Sequence, residues 1–151
     1  MKKTKNEKSP LKIVMLVGKY WSEDYNEIEA HIKLAEEYAI KLWGLGFGVF
    51  TPHLNTRHFE IKTKVPESIY QEFDRAVLKR LADCIFVLPN WKNSRGGKKE
   101  VKTALKQKIP VFFDFESICN WRDGKKPVHT IKKLMIKSST KASKPRRFYL
   151  T

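Results

Sequence analysis

Four short, almost wholly apolar runs alternate with longer segments of helical period, and this alternation constrains the fold more than any other feature of the chain. The runs are Leu11–Val17 (LKIVMLV), Phe47–Thr51 (FGVFT), Cys84–Leu88 (CIFVL) and Ile109–Phe115 (IPVFFDF). Strands that are apolar on both faces belong in a parallel sheet covered by helices on both sides. Between the first two runs, Ile28, Ile32, Ala35, Ala39, Leu42 and Leu45 recur at three- and four-residue steps, predicting a helix over 22–45 closed by Gly44 and Gly46. Pro66 suits the first turn of a second helix, with Ile69, Phe73, Ala76, Val77 and Leu81 as its buried stripe. A third runs from about Gly97 to Lys108, with Val101, Ala104 and Leu105 inward, and Val128, Ile131, Leu134 and Met135 mark a last amphipathic helix. Right-handed crossovers then predict a doubly wound α/β domain of four to five parallel strands, most simply in the order 2-1-3-4.

In such sheets ligands bind beyond the carboxyl ends of the strands, where the strand order reverses. Three segments converge there. Gly18-Lys19-Tyr20 follows the first strand, and a long polar connection over 52–64 with His53, Asn55 and His58 follows the second. The stretch PNWKNSRGGKKE, from Pro89 to Glu100, follows the third. Ser94, Gly96 and Gly97 lie where the third helix begins, and free N–H groups at a helix start favour an anion. The same residues also read as an ordinary N-cap serine with flexible glycines. Neither GxxxxGK[ST] nor GxGxxG is present.

Glu100 reads either as a helix-start carboxylate, one half of a capping arrangement, or as an acid aimed into the crevice. Asp74 and Asp83 lie on or beside the preceding helix: Asp83 could be an exposed strand-end residue and Asp74 a surface charge beside Phe73. Trp91 is either a flap over the crevice or a stacking surface for a base, and Tyr20 and Trp21 could do the same or pack on the long helix. His53 and His58 have no cysteine or carboxylate at zinc-like spacing, so neither a metal nor another cofactor is expected.

The net charge of +15 would suit a polyanionic partner, but its distribution matters. Residues 1–10 hold four Lys against one Glu, and residues 132–151 hold five Lys and two Arg with no acid. Basic ends of this kind read as solvated tails. The expected organisation is a flexible leader over 1–10, one domain over 11–137 and a disordered basic tail over 138–151. No apolar run approaches the length of a membrane span, and the N-terminus lacks the apolar core of a secretion signal. Cys84 and Cys119 offer no disulfide framework, so a cytoplasmic location with reduced thiols is expected.

The run DCIFVLPNWKNSRGGKKE resembles the nucleoside 2-deoxyribosyltransferase-like superfamily. It is closest to an uncharacterised branch, common in bacteriophage and bacterial genomes, with a loop of the type LPGWxxSxGAxxE. Gly18-Lys19-Tyr20, Ala35-Glu36-Glu37 and Thr51–Thr56 (TPHLNT) fit the same branch, and the resemblance covers about residues 12–115. It implies that Glu100 attacks C1′ of a (deoxy)ribose and displaces the nucleobase. Asp74, with Asp83 behind it, would then handle the proton, and Tyr20 would orient the nucleophile. Ser94 and Gly96 match the segment that holds a 5′-phosphate in relatives acting on monophosphates. Gly18, His53, Asn55, Asn90, Trp91 and Gly97 would complete the substrate site. The sequence departs from the pattern in having Val101-Lys102 after Glu100, Asn90 where many transferases place an aspartate, and an extra residue between Asp74 and Asp83. That residue would turn Asp74 by one helical position.

The expected function is thus cleavage or transfer of the N-glycosidic bond of a (2′-deoxy)nucleoside 5′-monophosphate by a homodimer or larger homo-oligomer. The alternatives are a nucleotide-binding module without turnover, and a protein that associates with nucleic acid through its basic tails.

Overall fold

The computed structural model describes residues 11–125. The expected leader over 1–10, the amphipathic helix around Val128–Met135 and the tail over 138–151 lie outside the described residues. Four parallel strands, β1 (Ile13–Val17), β2 (Gly48–Phe50), β3 (Cys84–Val87) and β4 (Val111–Phe112), form one sheet in the order β2-β1-β3-β4. Val14 lies opposite Cys84, and Ile13 opposite Gly48, so all four carboxyl ends point the same way. The reversal of order falls between β1 and β3, as the alternation of runs predicts.

Alternate residues of each strand serve different layers. Val14, Leu16, Cys84, Phe86 and Phe112 face one core, built against α1 (Tyr25–Gly44) and the helix that follows β4. Met15, Val17, Ile85, Val87 and Val111 face the other, built against two further helices. Helices therefore cover both faces. Asp24 caps α1 by accepting the Asn26 N–H at 2.8 Å, and Gly46, at φ 92°, turns the chain out of it.

The connection over 52–64 is not structureless. It contains two single-turn helices, α2 (Pro52–Asn55) and α3 (Phe59–Lys62). Pro66 is the residue before α4 (Glu67–Arg80) rather than in its first turn. A 3-10 turn (Trp91–Asn93) leads into α5 (Arg95–Lys106), which starts two residues earlier than expected, directly after its cap Ser94. Strand β4 is shorter than the apolar run that suggested it. Asp114 accepts the Ser117 N–H at 2.8 Å and its hydroxyl at 2.8 Å, starting a helix, α6 (Phe115–Arg122), that periodicity alone did not show.

The expected stripe of α4 also needs correcting. Ile69 and Phe73 are 52% and 49% exposed and Leu81 lies beyond the last turn, while Val77 and Leu78 are buried. The helix is rotated by about one residue step from the sequence expectation. That rotation places Asp74, which precedes Val77 by three and Leu78 by four, in the middle of the inward face.

Candidate functional site

Beyond the carboxyl ends of β1 and β3, the backbone at Gly18–Tyr20 is held by side chains from several elements. Asn90 Oδ1 accepts the Lys19 N–H at 3.0 Å, and His53 Nε2 donates to the Lys19 carbonyl at 3.0 Å. His31 Nδ1 donates to the Tyr20 carbonyl at 2.8 Å. Gly18 is required by the close approach of the two strand ends. A Cβ there would lie 2.7 Å from Leu88 Cδ1 and 2.9 Å from Asn90 Oδ1.

His53 donates through Nε2, so its Nδ1 carries a lone pair. Among the described residues that atom is buried without a partner, as is Nδ2 of Asn90. Burial lowers the His53 pKa to about 4, holding the ring neutral. A neutral acceptor and an amide donor thus flank the turn at Lys19, each left with one buried polar atom free.

Glu100 lies in the second turn of α5. Ser94 caps that helix by accepting the Gly97 N–H at 3.0 Å, and the third helical position is glycine, so Glu100 takes no part in a capping box. It shares the inward face with Gly97 and Ala104, beside the fully buried Val101. Among the described residues it forms no hydrogen bond or ion pair, despite the flanking Lys98, Lys99 and Lys102. Burial, and then the charge of Asp74, push its pKa up to about 8. Burial raises Asp74 to about 6. Two carboxyl groups from α4 and α5 therefore lie within electrostatic reach of each other at the crevice. Between about pH 6 and pH 8 they hold one proton between them.

The other expected site residues divide. Gly97 is buried under Ser94, and a Cβ would meet Ser94 Oγ at 3.3 Å, so Ser94 and Gly97 form a close-packed cap; Gly96 beside them is exposed. Trp91 is 4% exposed and packs on Phe113 at 5.8 Å, inside the core, so it is neither a flap nor a stacking platform. Asp83 sits at the opposite end of the sheet, where its carboxylate accepts the Ile13 N–H at 2.7 Å; it fastens β1 to β3 and stands outside the crevice. Asn55 ends α2 with an exposed side chain.

Tyr20 does not orient Glu100. Its hydroxyl donates to Glu60 Oε2 at 2.8 Å and accepts the His58 N–H at 2.9 Å. These bonds join it to a polar cluster that sequence reasoning missed. His58, in the left-handed region at φ 60°, stacks under Tyr25 and pairs with Glu29, which also takes Arg57 at 3.2 Å. His58 was visible in the polar connection, but nothing in the spacing linked it to Glu29 on α1 or Glu60 on α3. His31 gave only the signal of a histidine beside the apolar positions Ile28 and Ile32.

A shallow apolar groove along the β2 edge, lined by Ile40, Trp43, Val49 and Leu54, lies on the α1 side of the sheet and includes none of these groups. Among the described residues no His, Cys, Asp and Glu side chains are grouped to hold a metal ion, and no helix is long and apolar enough to cross a membrane.

No curated protein and no solved structure matches the chain significantly. One family model does, over residues 21–113, from the turn before α1 through β4. It takes in Asp74, Asn90, Ser94 and Glu100, and the chain belongs to the family it describes, "Domain of unknown function (DUF4406)".

Proposed function

We propose that the protein cleaves or transfers the N-glycosidic bond of a (2′-deoxy)nucleoside 5′-monophosphate, with Glu100 as nucleophile and Asp74 as its proton partner. The observation that carries this reading is Glu100 itself: a partly buried carboxyl group, without hydrogen bond or ion pair among the described residues, beside a second carboxyl group at the switch point. A surface helix charge has no reason to be held that way.

The chemistry follows from the pair. As the bond from C1′ to the base breaks, the sugar develops oxocarbenium character, and positive charge at C1′ favours the anionic form of Glu100. The single shared proton, which at rest sits on Glu100 as the group of higher pKa, then passes to Asp74, which can deliver it to the departing base. Glu100 closes the bond to C1′, and water or an acceptor base displaces it, giving up a proton to Asp74. The start of α5, with Ser94 and Gly96, supports a 5′-phosphate through backbone N–H groups and the positive end of the helix dipole. His53 Nδ1 and Asn90 Nδ2 supply an acceptor and a donor for the sugar or base. A homodimer or larger assembly belongs to the same reading, supported by the exposed apolar side chains Ile40, Trp43, Ile69 and Phe73.

The direct test is a chromatographic screen of nucleosides and nucleoside monophosphates for free base, with and without an acceptor base. The reading expects release from a monophosphate and its loss in Glu100→Ala. Full base release by Glu100→Ala would overturn the assignment.

One observation favours a second reading, a nucleotide-binding module without turnover. Asn90 stands where many transferases of the resembling family place an acid, and its Oδ1 is engaged by the Lys19 backbone. Nucleotide affinity that survives Glu100→Gln, with no base released by the wild-type chain, would favour that reading.

A further inference from the structure

The outward face of α5 carries a feature the crevice does not use. Arg95, Lys99, Lys102 and Lys106 succeed one another at steps of four, three and four residues, and all are exposed. At 100° per residue they fall within an arc of about 60°, opposite the buried face of Gly97, Val101 and Ala104. The stripe is about 16 Å long. Among the described residues none of the four enters an ion pair. Glu100 is the one acid between Lys92 and Lys108, and it is turned to the inward side. A solvated helix face ordinarily mixes signs and pairs Glu with Lys at four-residue spacing. This one has no such pair.

We infer that the outer face of α5 is a docking track for the phosphodiester backbone of a nucleic-acid strand, separate from the crevice and from the basic ends of the chain. A uniform row of extended cations suits a row of phosphates. A bilayer surface fits less well, because α5 presents no large exposed apolar side chain for insertion. Among the described residues no exposed aromatic side chain accompanies the stripe, since Trp91 beside it is buried. Binding therefore runs through phosphates, tolerates any sequence and depends steeply on salt.

The test measures fluorescence anisotropy of a labelled single-stranded oligodeoxynucleotide with the full chain across a salt series. Lys102→Gln/Lys106→Gln should weaken binding at low salt and flatten the slope of log affinity against log salt by about 1 to 1.5. Lys132→Gln/Lys133→Gln should change the slope by less, and Glu100→Gln not at all; this last arm keeps the inference distinct from the nucleophile assignment. Unchanged thermal unfolding of the Lys102/Lys106 variant shows that it is folded. An unchanged slope in that variant would overturn the inference. So would an equal loss in the Lys132/Lys133 variant, or binding to phosphatidylserine vesicles but not to the oligonucleotide.

Discussion

Gly18 and Glu100 show how much of the site rests on single atoms. At Gly18 a methyl group would collide with Leu88 and Asn90, both of which close the turn over β1. Gly18→Ala should cost about 1–3 kcal/mol in denaturant unfolding, the usual range for overpacking a tight contact. Glu100 has the opposite effect on stability. Its folded pKa, at about 8, lies above the ordinary carboxyl value of 4.5, so the folded chain holds that proton more tightly than the unfolded one. The resulting contribution is complete below about pH 4.5 and is lost as pH rises through 8. Glu100→Gln, neutral at every pH, should leave stability near pH 4 unchanged and raise it at pH 9, by something on the order of 2–4 kcal/mol. Equal unfolding midpoints for the two chains at pH 9 would contradict the burial argument. Glu100 and Ser94 were legible in the sequence because strand, turn and helix start lie within one short run. The ties of Tyr20 to Glu60 and His58 were not, because they join segments about forty residues apart through side-chain geometry.

At the scale of elements, α5 and α4 carry the argument. Ser94→Ala removes the cap of α5 and should cost about 1 kcal/mol of stability. If Ser94 also supports a phosphate, the same change raises KM for a monophosphate more than for the free nucleoside. The rotation of α4 explains why its stripe was misread. Ile69 and Phe73 look like core residues, yet both are about half exposed and Phe73 meets Phe50 on the edge strand, while the polar Asp74 turns inward. Apolar count favoured one face and the packed structure uses another, and a carboxylate on the inward face is what sets them apart. Asp74→Asn removes the charge that helps raise Glu100, so Glu100 should titrate at lower pH; carboxyl NMR titration of Glu100 would show it. Helix α6 was missed because Phe115 extends an apolar run, while the stronger signal was Asp114 three residues before Ser117.

For the molecule as a whole, the strand order, the helices on both faces and the position of the switch point were all readable from four apolar runs. Short connections and right-handed crossovers leave few other ways to bury them. The same frame predicts the pH response. His53 is held neutral by burial, with a folded pKa of about 4 against an ordinary 6.5. Its contribution to stability is present above pH 6.5 and lost as pH falls through 4, whereas the contributions of Glu100 and Asp74 decline as pH rises through 8 and 6. Base release should follow a bell between about pH 6 and pH 8, the range in which the carboxyl pair holds a single proton.

The central claim is that Glu100 bonds to the sugar. Acid-quenching the chain during turnover of a nucleoside monophosphate, then mapping its peptides by mass spectrometry, tests this most directly. A pentosyl phosphate on the peptide containing Glu100, absent in Glu100→Gln, is the predicted result. The same adduct on Asp74, or base release that persists in Glu100→Gln, would contradict it.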